Sequence, residues 1–242
     1  MLKALQIRRR VPGWPAWRVL LWWNGVRFLC WLLMKLLYRL QCSGAHHVPR
    51  TGPIIYVSNH QSHFDPVLVG IPVGDRPFSG IARHTLFNSK ILAWVMHGIG
   101  AIELKRGESD TAAMKLALEE LEAGRCVMLF PEGTRTRDGA LGEFKRGVML
   151  LIKRAPERTR IVPVAIEGAF DVWPIELDRP RLTGRIAVGV GRPWRRDELL
   201  SSGPDEALNL IRNAIETMRL SLRADMRRAT GGKYPATGPG DD

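Results

Sequence analysis

The first fifty residues contain no aspartate and no glutamate. They hold nine of the 36 Lys and Arg residues of a 242-residue chain with net charge +12, so the other 192 residues carry only +3. The basic character therefore belongs to one end, and the body is close to neutral. A basic end suits nucleic acid or anionic lipid. Here the cations alternate with Trp14, Trp17, Trp22, Trp23, Phe28, Trp31 and a Leu-rich run. A nucleic-acid arm carries its charge on a polar background, so this pattern favours an anionic membrane lipid as partner and argues against nucleic acid.

Cysteine is also scarce. Cys30, Cys42 and Cys126 are spread out, odd in number and without a CxxC pair, which points to free thiols in a reducing compartment and to no metal site. The familiar phosphate and nucleophile signatures are missing too. Gly98-Ile-Gly100 begins like a dinucleotide loop but meets Glu103 at the third glycine position. There is no GxxxxGK[ST], no HExxH and no GxSxG elbow, so no local pattern supports a covalent serine or cysteine mechanism.

Long uncharged apolar runs are lacking as well. Val19–Leu40 is strongly apolar but carries Asn24, Gly25, Arg27, Lys35 and Arg39. Its uncharged pieces fall short of the roughly 20 residues that cross a bilayer. The reading is a membrane-associating segment over residues 1–47: one helix, or two broken at Asn24-Gly25, lying in the interface with Arg and Lys reaching headgroups and Trp rings at their level. A core helix and a single span are the competing readings.

From Val48 the pattern changes to short β-branched runs that alternate with helical stretches. Strands are expected at 54–58, 78–82, 100–104, 126–130, 161–166 and 186–190, with a helix over 109–123 that starts at Ser109 and stops at Gly124. This implies an α/β fold with a largely parallel sheet flanked by helices, whose sites lie beyond the carboxyl ends of strands. Leu208, Ile211, Ile215, Met218 and Leu222 mark an amphipathic helix within 205–227. A catalytic domain over 48–228 is then followed by a Gly- and Pro-rich tail, 229–242, expected to be disordered.

Asn59-His60-Gln-Ser-His63-Phe-Asp65-Pro66 follows the first of these strands. Asp65-Pro66 alone reads as a helix start, and His60 alone as a satisfied strand-end histidine. Together, a turn between them brings a carboxylate to one imidazole nitrogen, fixes the tautomer and leaves the other nitrogen free to take a proton. That is a base and its orienting group without a nucleophile, which a substrate hydroxyl supplies. His63 is a rival base within the same turn.

This segment resembles the HxxxxD motif of the lysophosphatidic acid acyltransferases, within the glycerolipid acyltransferases. Further blocks follow in the family's order. Phe130-Pro-Glu-Gly-Thr-Arg-Thr136 is similar to the FPEGTRS-type block, Gly100-Ala-Ile-Glu-Leu-Lys-Arg106 to the block ending in a phosphate-binding arginine, and Ile161–Ile166 to the apolar fourth block. Phe144-Lys145-Arg146-Gly147 also suits the family. The resemblance implies a glycerol-3-phosphate acyltransferase-like fold and, as activity, acyl transfer from acyl-CoA or acyl carrier protein to the free hydroxyl of lysophosphatidic acid. It implies no cofactor and a place on the cytoplasmic face of a membrane, the inner membrane for a bacterial protein. His60 would be the general base and Asp65 its orienting group. Arg106, Gly133, Thr134 and Arg135 would hold the acceptor phosphate, and Glu132 would hold Arg135 or accept a glycerol hydroxyl. The same chemistry on another lysolipid, or lipid binding without catalysis, are the alternatives.

Overall fold

A computed structural model of the chain describes residues 6–7, 9–83, 102–104, 110–238 and 240, with backbone only at 81–83, 102–104 and 110. Arg106, Lys105 and the expected cap Ser109 lie outside the described residues.

Helix α1 runs Arg18–Tyr38. Strand β1 is Gln41–Ser43, β2 is Ile54–Ser58, α2 is Asp65–Gly70, β3 is Phe78–Arg83 and β4 is Ile102–Leu104. Then follow α3 (Asp110–Glu122), β5 (Cys126–Leu129), α4 (Gly147–Arg154), β6 (Arg160–Glu167) and α5 (Ala169–Val172). The chain closes with β7 (Ala187–Val190), β8 (Trp194–Arg195), α6 (Arg196–Leu200) and α7 (Pro204–Ala229). Where the residues are described, the six strands and the helices expected from periodicity all form, with ends within a residue or two of those expected. One sheet has the order β1-β7-β6-β2-β5-β3-β4, with β8 on β6. Strands β6, β2, β5, β3 and β4 run parallel, and β7 and β8 run antiparallel to β6.

All five residues of β2 are buried, because this central strand is covered on both faces. Alternation decides which face each side chain joins. Ile54 and Tyr56 pack with Trp23, Met34 and Tyr38 of α1 and Leu68 of α2. Ile55 and Val57 pack with Leu121 of α3, Ile152 of α4 and Ile211 and Ile215 of α7. Helix α7 is also tied to the sheet by charge. Glu167, the last residue of β6, is fully buried between Arg219, 3.1 Å away, and Arg223.

Of the two forms expected for the N-terminal segment, the single helix is the one that forms: a π-helical stretch, Arg18–Trp23, winds directly into the α-helix Asn24–Tyr38. The Asn24 N–H still finds the carbonyls of Val19 and Leu21, so the ladder is unbroken. Arg27 and Lys35 turn onto the protein and donate to the carbonyls of Ile71 and Leu40 (3.1 and 3.2 Å) rather than reaching outward. At the other end, residues after α7 are held to the body. Tyr234 donates to Asp171 at 2.9 Å, and Arg223 donates to the Thr237 carbonyl at 3.0 Å. Low hydrophobicity from Thr230 onward suggests disorder, yet polar bonds to α5 and α7 fix the chain there.

Candidate active site

Strand β2 ends at Ser58, and the next residue clamps the neighbouring strand. The Asn59 amide accepts from the Ile166 N–H (2.8 Å) and donates to the Ile166 carbonyl (2.9 Å). This fixes the exit of β2 against the end of β6 and starts the turn that carries the histidine. Sequence reasoning gave Asn59 no role, because a two-sided backbone clamp depends on a partner 107 residues away.

His60 and Asp65 meet as expected. The imidazole Nδ1 lies 2.7 Å from Asp65 Oδ2. The same oxygen accepts the N–H groups of Gln61 (2.6 Å) and Ser62 (2.7 Å). Because Oδ2 serves as acceptor to two N–H groups, the proton on the third contact belongs to Nδ1, which leaves the Nε2 lone pair free. Nε2 has no bonded partner among the described residues. Asp65 is the first residue of α2, with Phe64 at the cap position and no side-chain cap bond. Its carboxylate points back into the turn, so the helix-cap reading of Asp65 does not hold. Asp65 is fully buried, and burial pushes its carboxyl above the ordinary value against the pull of His60 and the two backbone N–H groups.

The Phe130 ring, one residue beyond β5, stacks on His60 at 3.9 Å between centroids and 9° between planes. It covers one face of the imidazole and restricts its rotation about χ2. His63 is exposed and lies against Trp173 at 4.6 Å. Burial first, then the nearby Arg135 and His60, hold it below the usual histidine value. Without an orienting carboxylate it is the poorer base. The Ser62 hydroxyl donates to the Trp173 carbonyl at 2.8 Å, which directs it away from a nucleophile's role.

Glu132 departs from both roles expected of it. Oε1 accepts the His60 N–H at 2.7 Å and Oε2 accepts the Gly142 N–H at 2.9 Å. Both oxygens are thus committed to backbone, and the side chain is 6% exposed. Burial pushes its carboxyl up to about 7, opposed by these two N–H groups. Thr136 N–H returns a bond to the His60 carbonyl at 2.8 Å, so His60 is gripped at N–H, carbonyl and ring. With the His60, Gln61 and Ser62 N–H groups engaged, they are unavailable as oxyanion donors. Gly133 and Thr134 are exposed on the turn above, where Gly133 takes φ +72°, a conformation costly for any residue with a β-carbon. Arg135 acts electrostatically on His63 of the HxxxxD turn, and the Thr136 N–H bond to the His60 carbonyl ties the two turns together.

The family model described as Acyltransferase matches residues 39–167, a span that includes both turns. The chain is 31% identical over 195 residues to the 1-acyl-sn-glycerol-3-phosphate acyltransferase alpha of Mus musculus, covering 79% of this chain and 68% of that relative. The chain belongs to the 1-acyl-sn-glycerol-3-phosphate acyltransferase family. A family member from Arabidopsis thaliana chloroplasts is 31% identical over 159 residues, 64% of this chain and 44% of that one. The chain thus spans about half the length of the plant members it matches. The crystal structure of the 1-acyl-sn-glycerophosphate (LPA) acyltransferase PlsC from Thermotoga maritima shares the fold. Its TM-score is 0.73 at 22% identity, over 84% of this chain and 80% of that chain.

Proposed function

We propose that this protein transfers a fatty acyl group from an acyl thioester, acyl-CoA or acyl carrier protein, to the free hydroxyl of 1-acylglycerol 3-phosphate, giving phosphatidic acid. The observation that carries this is the His60 Nδ1–Asp65 Oδ2 contact of 2.7 Å with Nε2 open, beside a cationic turn. Nε2 takes the hydroxyl proton as the acceptor oxygen attacks the thioester carbonyl. The tetrahedral intermediate collapses, the C–S bond breaks, and the imidazolium returns the proton to the departing thiolate. Asp65 holds the ring in the Nδ1–H tautomer and stabilises the imidazolium. Arg135 meets the acceptor phosphate through paired N–H donors. Arg106 is assigned there by resemblance alone, and Glu132 serves the reaction by holding His60 rather than the substrate. No cofactor or metal is required by these steps, which move only a proton and an acyl group.

The acceptor enters from a membrane. Trp17, just before α1, and Leu21, Phe28, Leu29 and Leu36 within it are 56–73% exposed, on a helix long enough, at 21 residues, to lie in or cross a bilayer. The other face of the helix is packed on the site. Tyr38 meets Phe64 of the HxxxxD turn at 5.6 Å, and Arg27 holds the end of α2. Of the nine cations of the first fifty residues, those not turned onto the protein as Arg27 and Lys35 are favour an anionic leaflet, by about 1 kcal/mol for each one near the surface. We assign the protein to the cytoplasmic face, where anionic lipid lies and a soluble donor arrives.

Removing α1 would strip Trp23, Met34 and Tyr38 from the core, so point changes are the cleaner test. The triple variant Leu21→Glu, Phe28→Glu, Leu36→Glu is expected to lower partitioning onto anionic vesicles by at least about a hundredfold, given roughly 1.5–3 kcal/mol for each large apolar side chain removed from water. Unchanged cosedimentation would place the anchor elsewhere.

The acceptor assignment is tested by phosphatidic acid formation on vesicles carrying lysophosphatidic acid. Arg135→Ala is expected to raise KM for this acceptor about tenfold or more, the scale of one charged hydrogen bond. An unchanged KM removes Arg135 from the phosphate site. Preference for a different lysolipid changes the acceptor, and lipid binding without thioester consumption leaves only a binding protein.

A further inference from the structure

Lys145 lies eleven residues past Thr134, where the sequence leaves a place in the phosphate field and a place at the surface equally open, and its side chain is folded back across the Gly133–Thr134 turn. A β-carbon built on Gly133 would fall 2.6 Å from Lys145 Nζ, 2.8 Å from Cε and 3.1 Å from Cδ. The outer half of the lysine therefore lies along a glycine whose lack of a side chain makes the approach possible. The base of the lysine is anchored to the same turn, its N–H donating to the Pro131 carbonyl at 2.8 Å, and Phe144 beside it is buried.

The ammonium has found no partner there. Among the described residues Nζ makes no hydrogen bond or ion pair, and the neighbouring carboxylate, Glu132, has both oxygens taken by backbone N–H groups. Thr134, exposed next to Gly133, likewise has no bonded partner for its N–H or hydroxyl among the described residues. A surface lysine without a counter-ion ordinarily extends into water, where it keeps its rotamer freedom. Here the ammonium lies against an exposed turn whose next residue carries an unbonded hydroxyl and N–H. An anion with several acceptor oxygens satisfies them together.

We propose that Lys145 is a specificity-determining residue for the acceptor, closing over the Gly133–Thr134 turn onto its phosphate. The role rests on the phosphomonoester reading of the acceptor. Lysine supplies a point charge that follows the phosphate as the headgroup settles, where Arg135 supplies a fixed fork.

The test compares wild type, Lys145→Met and Lys145→Arg on vesicles carrying lysophosphatidic acid or the uncharged monoacylglycerol of the same chain, with one thioester donor. Lys145→Met should lower the ratio of kcat/KM for the phosphorylated over the uncharged acceptor about tenfold, mainly through KM, and Lys145→Arg should restore most of it. A ratio unchanged in Lys145→Met, in a protein whose wild type prefers the phosphorylated acceptor, overturns the role of Lys145 alone. Equal losses on both acceptors do so too, since they mark a structural residue. A wild type indifferent to the phosphate overturns the acceptor reading, and Lys145 with it.

Discussion

Replacing His60 with alanine should lower kcat on the order of a thousandfold, the scale of general-base catalysis, with little change in thermal stability. Asp65→Asn should come close to the same loss for a different reason. Asp65 Oδ2 accepts three hydrogens, from His60 Nδ1 and from the Gln61 and Ser62 N–H groups. An asparagine carbonyl oxygen at the Oδ2 position still accepts all three, and the amide nitrogen takes the place of Oδ1, which has no bonded partner among the described residues. What is lost is the negative charge, which raises the basicity of the ring and stabilises the imidazolium that forms as Nε2 takes the proton. The ring then sits in place with its lone pair toward the substrate but as a much weaker base. Because both residues act through one proton transfer, the double variant should lose no more than the worse single one. Losses that multiply would mean that Asp65 acts independently of His60. The measurement is kcat for phosphatidic acid formation in the three variants, with melting temperatures beside it.

The second large effect concerns Glu132, whose replacement by glutamine changes one atom. Glutamine can accept one of the two N–H groups, of His60 or Gly142, but must point its own NH₂ at the other. A buried donor then faces a donor, at about 1–3 kcal/mol, which lowers the melting temperature by several degrees in a chain of this size. The His60 backbone shifts, and displacement of a catalytic group by about 1 Å costs on the order of a hundredfold in rate. The variant also changes how stability depends on pH. Glu132 is held up to about 7 by burial, against the lower value it has in the unfolded chain. Between the two the folded state binds the extra proton, so the stability contributed by Glu132 is present at low pH and lost as pH rises toward and through 7. Glutamine cannot titrate, so the stability gap between wild type and Glu132→Gln should narrow from pH 5 to pH 8. A gap independent of pH would mean that Glu132 is already ionised across this range.

These two residues also show what a sequence discloses and where it stops. The strands were legible because β2, β5 and β6 are short β-branched runs buried on both faces, and α7 because its apolar positions recur at three and four. His60 and Asp65 were legible as a pair because five residues of separation fit a single turn, a local geometry. The bonds of Glu132 were not. Its partners are 72 residues back and 10 residues on, and they are backbone groups with no side-chain signature. Asn59 was obscured for the same reason, since it acts on the main chain of another segment. Asp65 could be read in two ways until the backbone showed its carboxylate turned back into the loop. The bonds made after Ala229 were hidden as well, because composition reports only how much apolar surface a segment can bury. It says nothing of Asp171 and Arg223 waiting for Tyr234 and Thr237.

The central claim is that the nucleophile belongs to the acceptor and that the protein supplies only its base. Among the described residues, Ser62 is turned to the Trp173 carbonyl. Cys126 is buried at the start of β5, its thiol pushed up to about 11 by burial. The most direct measurement is rapid mixing of enzyme with acyl thioester, following free thiol with and without lysophosphatidic acid. The account predicts no thiol release above background until the acceptor is added, and then one thiol for each phosphatidic acid formed. A stoichiometric burst of thiol before the acceptor arrives would contradict it, because an acyl group would then have passed first to the protein.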